Sequence, residues 1–154
     1  MAGSLLATLG LYGGTLALAF LAGMFPLLSV EALLFAVALS GVAPAELAVL
    51  VGIAAVGHQI AKTVTYYAGT GALALPGGRV QARVDAARRW IDRWNRRPRW
   101  ILFASATIGL PPLYVLGLVA RPLMGMALST FTAISMSGRI ARYVALVVAG
   151  HYLG

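Results

Sequence analysis

Ile108-Gly109-Leu110-Pro111-Pro112-Leu113-Tyr114 interrupts an apolar run that begins at Ile101, and Ser137-Gly138-Arg139-Ile140-Ala141-Arg142-Tyr143 follows it before Gly150. The first run is apolar enough for a bilayer, yet its centre cannot continue as a helix. Proline lacks a backbone donor, clashes with the preceding turn and biases the residue before it toward extended backbone. Broken backbone at membrane depth is tolerated only inside protein or beside a wet cavity. The second run sets two arginines at i and i+3 on one helix face. Charge inside a membrane is costly and marks a functional site. A broken hairpin followed by an arginine-bearing helix therefore points to a membrane translocation site.

The whole chain supports that setting. Of its 154 residues 60% are hydrophobic and 10% charged, with mean hydropathy +0.88, against about 25% charged in soluble domains. This composition predicts an integral membrane protein built as one unit, residues 1–154. No cysteine is present, which excludes disulfides and thiolate metal sites. The net charge of +8 raises nucleic acid as a partner. Eight of the twelve basic residues, however, fall between Arg79 and Arg99 beside apolar spans. That placement marks a membrane-surface segment, with no nucleic acid bound. Residues 1–30 lack the basic start of a signal peptide and read as mature structure.

Taken in order, residues 1–43 form a first broken hairpin. Met1 to Val30 is uncharged, its helical pattern meets Pro26, and the arm Leu27 to Val42 has sixteen residues. A full crossing needs about 20. Residues 44–71 predict a transmembrane helix started by Pro44 and Glu46 and ended by Gly69-Thr70-Gly71. His58, Lys62 and Tyr66 make one polar stripe on it. Residues 79–97 predict an amphipathic helix. Val80, Val84, Ala87, Ile91 and Trp94 recur at helical spacing, and Trp90, Trp94 and Trp100 suit the headgroup zone. Residues 101–121 are the second broken hairpin. Residues 122–151 predict a second transmembrane helix of about 30 residues, roughly 45 Å long.

The halves resemble each other. Gly57 to Gly69 and Gly138 to Gly150 have the same spacing, and His58 matches Arg139. A hairpin plus one crossing is an odd number of passages, so the second copy is inverted. The predicted fold is all-α: two inverted repeats, each a re-entrant hairpin with a transmembrane helix, joined by a surface helix. Transporters commonly use such repeats, with broken helices meeting near the midplane. The positive-inside rule places Arg79–Arg99 and Arg121 in the cytoplasm, and Glu46 and both termini outside.

Glu31, Lys62, Arg139 and Arg142 are the ionisable residues within apolar segments, three cations against one acid. Buried charges find partners, so the surplus calls for an anion from a ligand, and arginine's planar fork suits phosphate. Arg139, Arg142, Lys62, Tyr66, Pro111 and Pro112 are the candidate substrate-binding residues. Glu31 and His58 are the candidate proton-coupling groups. Other roles exist for several of them: Lys62 or Arg142 at a helix end would snorkel to an interface, Glu31 would form a structural ion pair, and His58 would be a packing residue. His58 and His151 do not make a metal site, and no cofactor motif is present. With no nucleophile–base pair, phosphate loop or carboxylate pair, the chain reads as a non-enzyme.

Four motifs carry a family likeness: Phe25-Pro26 with Ser29-Val30-Glu31-Ala32-Leu33-Leu34, then Tyr66-Tyr67-Ala68-Gly69-Thr70-Gly71, Gly109-Leu110-Pro111-Pro112-Leu113-Tyr114, and Ser137-Gly138-Arg139-Ile140-Ala141-Arg142-Tyr143. Together they span about residues 20–150. The chain resembles the DedA, or SNARE-associated (VTT-domain), membrane proteins, nearest their short YqaA-like branch. The resemblance implies paired re-entrant hairpins, lipid scrambling or polyprenyl phosphate recycling, and dependence on the proton gradient in the bacterial cytoplasmic (inner) membrane. Glu31, Arg139 and Arg142 carry over by position. The family's basic residue at the second hairpin tip does not, because 108–120 has none. The expected activity is a flippase or scramblase for an anionic or polyprenyl phosphate headgroup, with membrane lipids as partners and a homo-oligomer allowed. A scaffold or membrane-integrity protein, or a small-ion or drug/proton transporter, are the other classes. A cationic-drug exporter would carry surplus acid, the opposite of this chain.

Overall fold

A computed structural model describes residues 2–25, 28–72, 98–110 and 113–153, with Asp85, Arg89 and Asp92. Among these residues every regular element is a helix: α1 (Ala2–Met24), α2 (Val30–Leu39), α3 (Pro44–Ala72), α4 (Pro98–Ile108), α5 (Leu113–Ala120) and α6 (Leu128–Leu153). Two stretches, Pro44–Gly69 and Leu128–Leu153, are long and apolar enough to cross a membrane. Apart from Asp85, Arg89 and Asp92, the expected surface helix 79–97 lies outside the described residues, as do the tip prolines Pro26, Pro111 and Pro112.

The helix ends follow from local chemistry. Ser29 is extended and its hydroxyl accepts the Ala32 N–H, capping α2 and placing Glu31 in the first turn. A capping hydroxyl satisfies one orphan donor, and an acid there complements the helix dipole. Helix α3 opens on Pro44 with Glu46 in its first turn, as the sequence predicts. Helix α4 ends at Gly109, whose φ of +89° disfavours a side chain and whose N–H reaches back to the Ser105 carbonyl at 2.9 Å.

The second long helix begins at Leu128, six residues beyond the expected Pro122 (122 to 128). The carbonyls ending α5 explain the shift. Val119 accepts from Leu123 and Met124, and Ala120 accepts from Met126 at 2.9 Å. Those bonds close a C-terminal cap of the kind that satisfies orphan carbonyls, so Pro122 sits inside a turn.

The chain divides into two compact units, Met1–Ala61 with Arg139–Gly154, and Lys62–Gly138. Residues of both long helices are shared out between them.

In the first unit α1 packs on α2, and the core is aliphatic: Val30, Leu34, Leu50, Ala54 and Ala55 are fully buried or nearly so. Helix approach is set by small residues. A methyl on Gly57 would lie 2.7 Å from the Leu16 carbonyl oxygen, and one on Gly150 would lie 2.8 Å from Ala38 Cβ. Backbones come this close only where one side chain is missing.

In the second unit α4 packs on α5 around Tyr66, Leu102, Leu116 and Phe131. Tyr66 donates its hydroxyl to the Met126 carbonyl at 2.8 Å and lies 5.4 Å from the Phe131 ring centre. Gly69 meets the Leu118 backbone so closely that a Cβ has no room, and Gly138 packs on the Phe103 carbonyl and Ala106.

Candidate functional site

Three consecutive polar positions on α6, Arg139, Arg142 and Tyr143, sit at i, i+3 and i+4 and so share a helix face. Within the first unit each one meets a different partner. Arg139 is 3% exposed and donates from Nη1 to Gln59 Oε1 at 3.2 Å. Arg142 Nη2 lies 3.2 Å from Glu31 Oε1, on α2. The Tyr143 hydroxyl, fully buried, lies 2.9 Å from His58 Nδ1. Helix α3 contributes His58 and Gln59 as neighbours, and the Ser29 cap holds the first turn of α2 that carries Glu31. Ser29 also donates to Glu31 Oε2 at 3.2 Å, so both carboxylate oxygens are engaged.

These contacts divide the two arginines. Arg142 is neutralised by Glu31 and remains partly exposed, with 33% of its side chain open. Arg139 faces a neutral amide, and its buried Nη2 has no hydrogen-bond partner among the described residues. Leaving a buried donor unsatisfied costs about 1–3 kcal/mol, more when the group is charged. A buried guanidinium with one arm anchored and the other open can donate to an anionic acceptor such as carboxylate or phosphate. A second buried polar atom of this unit, Thr15 Oγ1 on α1, is also without a hydrogen-bond partner there.

Glu31, His58, Arg139 and Arg142 thus fall in one unit with specific partners. Lys62 and Tyr66 belong to the other unit. Lys62 is 4% exposed and has an interaction partner within the protein, and Tyr66 donates its hydroxyl to a backbone carbonyl inside a hydrophobic core. Pro111 and Pro112 lie outside the described residues.

Gln59, the Arg139 partner, is not among the residues that the sequence singles out; its signal is a lone amide in the apolar stretch beside His58, which needs a partner. Thr15, a hydroxyl in a charge-free helix, gave less. Among the described residues no three His, Asp or Glu side chains come together as a metal site.

No family model, curated protein or solved structure matches the chain.

Proposed function

We propose that this chain is an integral membrane translocase, of flippase or scramblase type, for a lipid carrying an anionic headgroup such as a polyprenyl phosphate. The observation that carries the proposal is Arg139: a buried cation whose hydrogen-bond partner among the described residues is neutral and whose Nη2 donor is open among them. A phosphate oxygen would satisfy both the donor and the charge. Glu31 serves as the coupling group. Its protonation would dissolve the ion pair with Arg142 and release a second cation toward the same anion.

Internal repetition supports a transporter plan. Gly57 seats the first arm of the first hairpin and Gly138 the first arm of the second, while Gly150 and Gly69 seat the second arms. Each long helix carries its pair twelve residues apart (57 to 69, 138 to 150). Contacts that exchange roles in this way are what two inverted repeats produce. Helix–break–helix at α1–α2 and α4–α5 fits a pair of re-entrant hairpins, and the motifs at residues 25–34, 66–71, 109–114 and 137–143 fit the DedA-type family. The basic stretch Arg79–Arg99 faces the cytoplasm of a bacterial inner membrane under the positive-inside rule.

Reconstituted liposomes test the activity. The protein should move a fluorescent lipid with a phosphate monoester headgroup between leaflets faster than a zwitterionic one of the same chains. Equal rates for both, or no movement of either, would remove the proposal.

A further inference from the structure

An apolar groove of about 490 Å³ runs along the first unit between the start of α3 and the end of α6. Its floor is Leu47, Val51 and Val147, all buried, and its walls include Gly52, Val144 and Val148. Pro44, His151 and Tyr152 close one end, where α3 begins and α6 finishes. None of the charged cluster lines it. A Cβ on Gly52 would meet nothing within 4 Å, so the missing side chain leaves the wall open.

We infer that this groove holds one acyl chain of a bilayer phospholipid. The inference rests on the chain being in a membrane, not on the anion site. Three features select this occupant. The lining is aliphatic along almost its whole length and offers the dispersion contacts that an aliphatic chain requires. From Ile140 to Tyr152 the α6 wall rises roughly 18 Å at 1.5 Å per residue, close to the ~15 Å that one leaflet contributes to a ~30 Å hydrocarbon core. The polar residues stand only at the helix-end mouth, where His151 and Tyr152 present apolar bodies and polar tips suited to the headgroup level.

Native mass spectrometry of the full chain released from nanodiscs of phosphatidylcholine alone tests the groove. Wild type should retain one tightly held phosphatidylcholine per chain. Gly52→Leu and Ala48→Phe, which fill the groove from its α3 wall, should each lose it, while Val56→Phe, exposed on the same helix outside the groove, should keep it. Wild type stripped of all lipid overturns the inference, even if the filled variants fail to fold. So does equal retention in all four proteins, or a wild-type dimer that Gly52→Leu splits. Arg139 does not line the groove, so Arg139→Ala should retain this lipid there, and failure of the anion site and failure of the groove are separate results.

Discussion

Arg142 and Glu31 form an ion pair at 3.2 Å, which leaves the deeper Arg139 with a neutral partner in Gln59. Two arginines three residues apart therefore have different partners, one the protein's own acid and the other a neutral amide.

Glu31→Gln should release Arg142 while the chain stays folded. Liposome flux should fall, because the variant has no carboxylate to hold Arg142. Normal flux would reduce the pair to a structural contact.

Tyr143→Phe removes one buried hydrogen bond, that to His58 Nδ1. Thermal unfolding in detergent should show a loss of about 1 kcal/mol. Tyr66→Phe should cost about the same through the Met126 carbonyl and leave lipid binding unchanged. Weakened lipid binding in Tyr66→Phe alone would return that residue to the substrate site.

Gly69→Ala should be among the most damaging small substitutions, since the added methyl meets the Leu118 backbone rather than a side chain able to rotate. Overpacking of this kind costs about 1–3 kcal/mol or more. Gly52→Ala, with nothing near its Cβ, should instead be neutral or stabilising by up to about 1 kcal/mol through helix propensity. Melting temperatures of the two variants should move in opposite directions or at least differ clearly.

Cysteines introduced at Gly3 and Arg89 should label from opposite faces of intact cells, because the basic density of Arg79–Arg99 dominates orientation. Labelling from one side would exclude the inverted arrangement.

Much of this fold is legible in residue order. Pro44 with Glu46, the apolar arms ending near Phe25 and Ile108, and the Gly109 break are local signals, and the helices follow them. The start of α6 was not legible from Pro122, since proline suits both a first helical turn and a tight reversal. The outcome was decided by Val119 and Ala120 carbonyls capturing the next N–H groups. For the site, the sequence names Glu31, Arg139 and Arg142 but not who pairs with whom. Helical spacing puts both arginines on one face; only packing of α2 and α3 against α6 gives Glu31 to Arg142 and Gln59 to Arg139.

The proposed function rests on Arg139, and binding of a phosphate-monoester lipid to Arg139→Lys tests it most directly. Lysine keeps the charge and loses the planar fork, so its contact with phosphate is no longer bidentate. One charge-assisted hydrogen bond lost is worth about 1.5–3 kcal/mol, which weakens binding roughly ten- to a hundredfold. Arg142→Lys, already committed to Glu31, should weaken it far less. Wild-type affinity in Arg139→Lys, with the anionic lipid still bound at full occupancy in Arg139→Ala, would contradict the assignment.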